Sequence, residues 1–516
     1  MANAVLKSQK NISNKENITL GSDIGVIKKI KNTHTEELII SICGFIGTDI
    51  NSFIRNLQNV LVDDFKYETK VIKMSEFIVQ KSSMINSDIT KITQIDRYNQ
   101  LIECGNDLRE RFGKSVLAEL AINQIITDRI PNKESSFYQS KRVCYIINSI
   151  KNQEELDLFN LVYQGIHFSF GIFSSINDRE KYLKNNKSMT LSEIYQIIDR
   201  DSGEEFKHGQ TVRDTFTESD FFINVSDTEK SLKVKIERYL SLIFNSNIIT
   251  PTSEETAMYQ ASSAANNSAC LSRQVGAALT DSDNNIISLG WNDVPKYGGN
   301  LYSNESKSDF RCMNFNNQTK CWNDQEKNLI SKELTKILLD EKLINQENEE
   351  QVFNKIRNSK IKSLVEFSRS IHAEMHALII GSQIAGDKVK GGKIYITTYP
   401  CHNCARHLIV AGIEEIYYIE PYRKSLTMKL HYDAMTENNE NNKVKILMYE
   451  GVSPRKYMDL FKMIQNSRKN SSGEMIDYIK NNIQPKKTLS LQAIPTLESL
   501  VTKDLISKKL LNETEE

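Results

Sequence analysis

The chain has 516 residues and a formal net charge of zero, with 66 Lys and Arg residues against 66 Asp and Glu residues. This length predicts two or three domains with their own cores, and the neutral charge disfavours a protein that tracks a nucleic-acid backbone, which usually needs a basic excess. Since no apolar run reaches signal-peptide or membrane-helix length, and eight cysteines are too sparse for a disulfide framework, we expect a soluble cytoplasmic protein without membrane contact.

The first part of the chain has the pattern of a parallel α/β domain. Residues 1–35 are polar and predict a flexible tail. After them, an apolar run, the glycine turn at 44–47 and a segment with helical spacing form a strand–turn–helix unit. Further strands are predicted at 69–72, 143–147 and 167–173, and a helix is predicted at 106–129. We expect a three-layer α/β/α domain over residues 36–248.

A second domain is predicted over residues 249–465. Thr252 and Glu255 form a capping-box pattern that starts a helix, and two β-like segments separated by a polar turn predict a hairpin at 274–291. Helices and strands then alternate, with helices at 371–384 and 402–411 and strands at 393–398, 415–420 and 443–448.

Two other segments of this half are polar. Residues 300–365 are predicted as an insertion with a charged, solvated helix near 325–341. Residues 466–516 are rich in Lys, Asn and Ser, and predict a polar C-terminal tail.

The residues with recognisable chemistry are His372 and Glu374 at one predicted helix start and Cys401 and Cys404 at another. Zinc prefers imidazole and thiolate ligands, and a catalytic zinc site uses three protein ligands and leaves one position for water. The positive end of a helix favours ionised thiols, so both cysteines are expected to be thiolates. Zinc makes hydroxide available near neutral pH, and Glu374 can carry the proton. The pattern H-x-E…P-C-x-x-C therefore predicts a zinc-dependent deaminase.

Each part of this pattern alone has a less specific interpretation. Cys401 and Cys404 also fit a structural zinc knuckle or a redox pair, and His372 alone fits an ordinary core or surface histidine. The order of helix start, strand and second helix start makes the combined pattern more specific than its parts. A structural zinc site would also have no use for Glu374, because another Cys or His would fill its fourth position.

These motifs resemble those of the deoxycytidylate deaminase family. The resemblance extends to residues 270–277 (CLSRQVGA), 290–295 (GWNDVP) and 405–413 (ARHLIVAGI). It implies a cytidine-deaminase-like α/β/α fold and a cytosine deoxynucleotide as the substrate. It also implies that Asn292 contacts the nucleotide. Arg273 is the weaker candidate, for which a phosphate contact and a surface ion pair are both open.

Some relatives hold a second, structural zinc ion with a histidine two residues before the catalytic one. That position is Ser370 in this chain. Cys270, Cys312 and Cys321 are available thiols, but a buried free thiol is the simpler interpretation. We therefore expect one zinc ion per chain.

The glycine turn of the first domain departs from a working phosphate-binding loop. Such a loop has the pattern G-x-x-x-x-G-K-[ST], in which the Lys and the hydroxyl group contact phosphate and magnesium. Counted from Gly44, the Gly and Lys positions hold Asp49 and Ile50. Gly44, Gly47 and Thr48 are therefore predicted as a degenerate nucleotide-binding loop, and a scaffold that binds nothing is equally compatible.

Further segments resemble the fused bacterial deaminases of phage defence, in which a P-loop nucleoside-kinase-like domain precedes a dCTP/dCMP deaminase domain. They are residues 38–49, 200–225, 366–378, 420–426 and 451–461. The resemblance implies depletion of the dCTP or dCMP pool, a homo-oligomer, and control of the activity, in some members by a small inhibitory RNA. Gln210, Arg213 and Asp214 are predicted either as polar contacts between domains or with a regulator, or as a solvated helix end.

The leading interpretation is hydrolytic, zinc-dependent deamination of dCTP, dCMP or both to dUTP or dUMP and ammonia. A deaminase that edits cytosine or adenine in a polynucleotide would need a basic channel with stacking aromatic residues, which the neutral charge disfavours. A non-catalytic zinc-binding regulator would leave Glu374 without a role.

Overall fold

Two six-stranded sheets organise the part of the chain that the structure describes. The computed structural model describes residues 34–85, 93–129, 141–201, 211–226, 228–315, 319–421, 425–438, 440–464, 467–478, 480, 483–487, 489 and 494–511. Nearly all of the predicted N-terminal tail and the predicted contact residue Gln210 lie outside these ranges.

The first sheet is parallel except at one edge. Its strands lie side by side in the order β12-β5-β4-β1-β3-β2, with the bounds β1 Leu38–Gly44, β2 Glu68–Lys73, β3 Val143–Asn148, β4 His167–Phe173, β5 Phe221–Asn224 and β12 Gly451–Val452. β1 to β5 pair in parallel, and β12 pairs antiparallel with β5. β1 is buried along its whole length, as expected for a parallel sheet that is covered on both faces.

Helices cover both faces of this sheet. They are α1 Ile50–Asp63, α2 Met74–Lys81, α3 Gln94–Phe112, α4 Val116–Arg129, α5 Gln153–Tyr163, α6 Ile176–Lys187, α7 Leu191–Asp201, α8 Val212–Thr217 and α9 Glu229–Phe244. Because successive side chains of a strand point to opposite faces, Ile39 of β1 packs with α4 and α5, whereas Ile40 and Ile42 pack with α1 and α9. The predicted three-layer arrangement is confirmed.

The second sheet is mixed and has the order β10-β11-β9-β8-β6-β7. Its strands are β6 Gly276–Thr280, β7 Ile286–Trp291, β8 Lys393–Thr398, β9 Glu415–Glu420, β10 Met435–Thr436 and β11 Val444–Met448. β6 and β7 form the predicted antiparallel hairpin, and β6 also pairs antiparallel with β8. From β8 onwards the neighbouring strands are parallel.

The helices of this half are α10 Ser253–Ala265, α11 Trp322–Asp340, α12 Glu349–Arg357, α13 Ala373–Val389, α14 His402–Ala411, α15 Thr427–His431 and α16 Pro454–Phe461. α10 and α13 cover opposite faces of β6, since Ala278 packs with α10 while Ala277 and Leu279 pack with α13. None of the helices in the described ranges is long and apolar enough to cross a membrane.

One contact between the two halves is made by Glu255 in the first turn of α10. Its side chain completes the capping box predicted with Thr252. The same buried carboxylate accepts hydrogen bonds from Arg238 of α9 at 2.6 and 2.8 Å and from the N–H of Val452 in β12 at 3.0 Å. The residue that starts the second domain therefore also attaches it to the first sheet.

Two sequence predictions in the first domain need correction. The helix predicted at 106–129 is two helices, α3 and α4, because the chain turns at Gly113, which has a φ of 105°. β5 was not predicted as a strand, since only four residues take part and its sequence lacks a long apolar run.

The prediction of a polar tail at the C-terminus is wrong for one segment. Helix α17 spans Ile494–Ser507. Its residues Ile494, Val501 and Leu505 are buried in the core that contains α4 and α5. These apolar residues are spaced along one helix face but are diluted by polar neighbours, so average composition concealed the helix.

Buried polar contacts fix α17 in place. Glu498 accepts hydrogen bonds from Arg129 at 2.6 Å and from Tyr163 at 2.8 Å. Arg129 also pairs with Glu37 at 2.7 Å. The arginine thus lies between two carboxylates, one of them supplied by α17.

Leu505 and Leu500 of this helix offer a matched pair of substitutions, one at a buried position and one at an exposed position. We predict that Leu505→Ala lowers the free energy of unfolding by about 2–5 kcal/mol, because the fully buried side chain leaves a cavity. Leu500 is 61% exposed, so Leu500→Ala should change the free energy of unfolding by less than about 0.5 kcal/mol. Urea unfolding followed by circular dichroism measures both. Equal small effects would show that α17 does not pack in the core.

Candidate metal centre

Two helix starts meet near the end of β8. His372 is the residue before α13, and Cys401 is the residue before α14. The Nδ1 atom of His372 lies 3.4 Å from the Sγ of Cys401 and 3.3 Å from the Sγ of Cys404. All three candidate ligand atoms lie within 4.8 Å of one another. The structure thus brings together the three residues that the sequence pattern selected.

The first turns of α13 lie close against β7. A Cβ atom on Gly290 would lie only 2.3 Å from the carbonyl oxygen of Ala373 and 2.4 Å from the nitrogen of Ala377. Glycine is therefore required for α13 to approach the strand this closely. In addition, the N–H of Ile371 donates to the carbonyl of Asp293 at 3.0 Å. Together these contacts hold the residue next to His372 against the loop that follows β7.

The donor set and its spacing fit a tetrahedral zinc ion. Zinc–sulfur bonds of about 2.3 Å and zinc–nitrogen bonds of about 2.0–2.1 Å place sulfur and nitrogen ligands about 3.5 Å apart, close to the observed 3.3 and 3.4 Å. Two cysteines and one histidine leave the fourth position for solvent or substrate. Among the residues that the structure describes, no other group of three or more His, Cys, Asp and Glu side chains has this spacing.

The protein distributes protons unevenly among the three ligands. A hydrogen bond from the Cys404 side chain lowers the pKa of Cys401 to about 4. A hydrogen bond to Cys401 raises the pKa of His372 to about 9. The pKa of Cys404 is raised well above its usual value, first by its hydrogen bond to Cys401 and then by burial. Because zinc binds cysteine as the thiolate, Cys404 would lose its proton on binding the metal, and ionisation of both thiols stays a prediction for the zinc-bound site.

Glu374 lies in the first turn of α13, two residues after His372. Its side chain is buried. Burial raises the pKa of Glu374, while the neighbouring His372 acts in the opposite direction. A carboxyl group whose pKa is raised towards neutrality can both accept and release a proton, which general acid–base catalysis requires.

His376 also lies on α13 and was not predicted as a site residue. Its Nδ1 accepts a hydrogen bond from the N–H of Trp291 at 3.2 Å, and its Nε2 lies 3.1 Å from the Oδ1 of Asn300. Burial lowers the pKa of His376, so the neutral ring accepts at Nδ1 and donates at Nε2. His376 thus links the helix that carries Glu374 to β7 and its loop. Its position one helical turn after His372 was the available signal.

The two residues predicted to bind substrate, Asn292 and Arg273, lie in neighbouring loops. The Oδ1 of Asn292 accepts from the N–H of Val275 at 2.8 Å, and its Nδ2 donates to the carbonyl of Arg273 at 3.0 Å. Asn292 therefore holds the loop that carries Arg273. The Arg273 side chain is half-exposed and lies 3.4 Å from Glu420, which is the surface ion pair considered as its alternative role.

Contacts between the domains reach the same carboxylate. Arg213 and Asp214 lie in α8. The Nη2 of Arg213 lies 2.5 Å from the Oε1 of Glu420 at the end of β9. Arg213 therefore makes one of the contacts that were predicted between the domains.

The remaining cysteines near the site do not form a second cluster with ligand spacing within the described residues. Cys270, Cys312 and Cys321 are near enough for their charges to interact. Cys321 contacts the hydroxyl of Ser272 at 3.3 Å. Ser370, at the position of the missing histidine, donates its N–H to Ser368 at 3.2 Å.

The glycine turn after β1 is closed by its own hydrogen bonds. The N–H of Thr48 donates to the carbonyl of Phe45 at 3.1 Å, and the side chain of Asp49 accepts from the N–H of Ser52 at 3.1 Å at the start of α1. The Asp49 carboxylate thus takes the place at a helix N-terminus where a phosphate would bind.

Two cationic side chains also border this turn. Lys151 donates to the carbonyl of Gly44 at 2.7 Å. Gly47 has a φ of 88°, and a Cβ atom there would lie 2.9 Å from the Cβ of Arg179. Nucleotide binding by Gly44, Gly47 and Thr48 remains a prediction.

Residues 251–420 match the family model for the cytidine and deoxycytidylate deaminase zinc-binding region. ComE operon protein 2 of Bacillus subtilis is 45% identical over 56 residues, which are 11% of this chain and 29% of that protein. Deoxycytidylate deaminase of Enterobacteria phage T4 is 34% identical over 55 residues, which are 11% of this chain and 28% of that protein. Residues 251–420 are thus similar to the zinc-binding region of cytidine and deoxycytidylate deaminases.

The chain spans less than a third of the length of these two curated relatives. Among solved structures, the dCMP deaminase from the cyanophage S-TIM5 in complex with dCMP and dUMP is 17% identical to this chain, with a TM-score of 0.23. The match covers 39% of this chain and 99% of that protein's chain.

We predict that Cys404→Ala abolishes zinc binding and destabilises the second domain, because the metal joins two helix starts and its binding energy contributes to folding. Cys312→Ala is the matched control, since it removes another buried thiol outside the ligand group. Elemental analysis should find one zinc ion per chain in the wild type and the control, and none in Cys404→Ala. Full zinc occupancy of Cys404→Ala would contradict the three-ligand site.

Proposed function

We propose that this protein is a hydrolase that deaminates cytosine deoxynucleotides, converting dCTP, dCMP or both to dUTP or dUMP and ammonia. The observation that carries the proposal is a buried carboxyl group, Glu374, beside a histidine and two cysteines with metal-ligand spacing. A proton carrier next to a metal site with an open position is the requirement of a hydrolytic deaminase. The match of residues 251–420 to the deaminase zinc-binding region supports cytosine as the base.

Deamination replaces the amino group on C4 of cytosine with an oxygen atom from water. His372, Cys401 and Cys404 would hold the zinc ion, which would supply the nucleophile by lowering the pKa of a water molecule to about 7. Glu374 takes one proton of that water and delivers it to ring N3, and it then passes the second proton to the leaving amino group. One water is consumed, one ammonia is released, and Glu374 returns to its initial protonation state.

A free nucleotide is the proposed substrate, not a base within a polynucleotide. Zero net charge gives the protein no general attraction for a nucleic-acid backbone. Asn292 holds the loop of Arg273, and the Arg273 side chain is half-exposed in its pair with Glu420, so its guanidinium group can exchange that carboxylate for a phosphate of the substrate. Arginine suits this role because its planar group binds phosphate through two parallel hydrogen bonds.

The proposed biological role is depletion of the cytosine nucleotide pool in antiviral defence. It is supported by the resemblance of residues 38–49, 420–426 and 451–461 to the fused bacterial deaminases of phage defence. On the same basis we propose a cytoplasmic homo-oligomer whose activity is controlled, with a small RNA as one regulator.

The first domain is proposed to regulate the deaminase without phosphoryl transfer of its own. The loop after β1 lacks the lysine that would stabilise a transferring phosphoryl group. The negative charge of Asp49 at the start of α1 also opposes binding of a phosphate there. The first domain would then resemble a kinase only in its architecture.

We predict that the zinc-loaded protein releases ammonia from dCTP or dCMP but not from a single-stranded DNA oligonucleotide.

Glu374→Gln should retain zinc and lose at least about 100-fold in rate, because a positioned acid–base group contributes about 10²–10⁴-fold. Glu366→Gln is the matched control, since Glu366 is an exposed carboxylate near the same helix start, and it should keep the wild-type rate. A coupled ammonia assay and elemental analysis measure these properties.

Three outcomes would change the proposal. Activity on the oligonucleotide without activity on free nucleotides would reverse the choice of substrate. A wild-type rate for Glu374→Gln would exclude its proton-carrier role. A zinc-loaded protein that releases ammonia from no cytosine compound would contradict the proposed activity and favour a non-catalytic regulator.

A further inference from the structure

Glu420 is contacted by arginines from both halves of the protein. Its Oε1 lies 2.5 Å from the Nη2 of Arg213, in α8 of the first domain, and 3.4 Å from the Nη1 of Arg273, in the loop before β6. Its Oε2 accepts a hydrogen bond from Thr398 at 3.0 Å. One carboxylate is thus shared between two cations whose sequence positions are far apart.

Glu420 is also connected to the candidate metal centre. It is the last residue of β9, and its carbonyl accepts the N–H of Tyr399 at 2.8 Å. Tyr399 follows the last residue of β8 and precedes Cys401 by two residues. Glu420 therefore lies beside the segment that leads from the end of β8 to the start of α14, where Cys401 is located.

The two arginines are held differently. The side chain of Arg213 is 20% exposed and that of Arg273 is 50% exposed. Arg213 also has the shorter distance to Glu420. Because an ion pair weakens with distance and with access to water, Arg273 is the partner that leaves Glu420 more readily when another anion approaches.

We propose that Arg213 is a positioning residue through which the first domain sets the affinity of the deaminase site for the phosphate of its substrate. By neutralising Glu420, Arg213 releases Arg273 to bind that phosphate and reduces the repulsion between Glu420 and the phosphate. The inference rests on the proposed function for the identity of the ligand, a cytosine nucleotide with a 5′-phosphate. It adds a residue of the first domain to those that set the affinity for the substrate.

The proposal predicts opposite effects of two substitutions. Without Arg213, Glu420 has Arg273 as its remaining arginine partner among the contacts described above, so Arg213→Gln should raise the KM for dCMP about two- to fivefold, the size expected for a partly exposed ion pair. Glu420→Gln frees Arg273 and removes the negative charge, so it should lower the KM for dCMP. Glutamine can still accept the hydrogen bond of Thr398, which preserves the local structure.

The test is a double-mutant cycle with a phosphorylated and an unphosphorylated substrate. The wild type, Arg213→Gln, Glu420→Gln and the double variant are assayed for kcat and KM with dCMP and with deoxycytidine, and both ligands are titrated by calorimetry against the same proteins in the Glu374→Gln background. We expect changes in the KM and Kd for dCMP alone, an unchanged kcat, and a double variant that behaves like Glu420→Gln. Arg213→Lys should restore part of the effect.

Arg455→Gln is the control for a general loss of contact between domains. Arg455 pairs with Glu218 and Asp220 of the first domain, at 2.8 and 2.9 Å, and not with Glu420. It should leave the ratio of KM values for dCMP and deoxycytidine unchanged.

Equal changes for dCMP and deoxycytidine in Arg213→Gln, or the same change in Arg455→Gln, would overturn the inference. So would additive effects of the two substitutions in the double variant. If the wild type released no ammonia, the proposed function would fail, while the calorimetric comparison of the two ligands would still decide the role of Arg213.

Discussion

The convergence of two helix starts at one point is the constraint on which the proposed chemistry depends. His372 and Cys401 are the residues before α13 and α14, so their side chains are fixed by the positions of two helices and not by a mobile loop. α13 can reach this point because Gly290 has no side chain to hold it away from β7. α14 reaches it because β8 ends at Thr398, three residues before Cys401. A larger residue at position 290 would displace His372 and Glu374 together.

The same arrangement gives Glu374 its properties. The first turn of α13 places its carboxyl group in the interior beside His372, where burial raises its pKa. The neighbouring His372 acts on this pKa in the opposite direction. Because α13 starts against the sheet, the same feature determines both the position of the Glu374 carboxyl group and its proton affinity.

The first domain is attached to this centre by charged contacts that cross between the sheets. Glu255 binds Arg238 and β12 near the start of α10, and Glu420 binds Arg213 beside the exit of β8. The two contacts differ in their surroundings. Glu255 is buried and holds the halves together, whereas Glu420 is partly exposed and shares its charge with Arg273. Only the second contact is suited to respond to a bound anion.

How much of this could be predicted from the sequence depends on how local each signal is. The ligands, Glu374 and the capping box of Thr252 and Glu255 lie in short motifs, and the helix starts follow from them. The pairing of β12 with β5 and the contact of Arg213 with Glu420 join residues more than 200 positions apart, and no local pattern indicates them. Helix α17 was missed because three buried apolar residues were too few to change the composition of its segment.

The proposed reaction at this centre adds water to the C4 carbon of a cytosine nucleotide. Its most direct test is to let the zinc-loaded protein act on dCMP and dCTP in water enriched in ¹⁸O and to analyse the nucleotide products by mass spectrometry. We expect one ¹⁸O atom in the uracil ring for each ammonia released, and at least about 100-fold slower labelling of nucleotide incubated with Glu374→Gln. Ammonia release without incorporation of ¹⁸O into the ring, or no uracil product from either nucleotide, would contradict it.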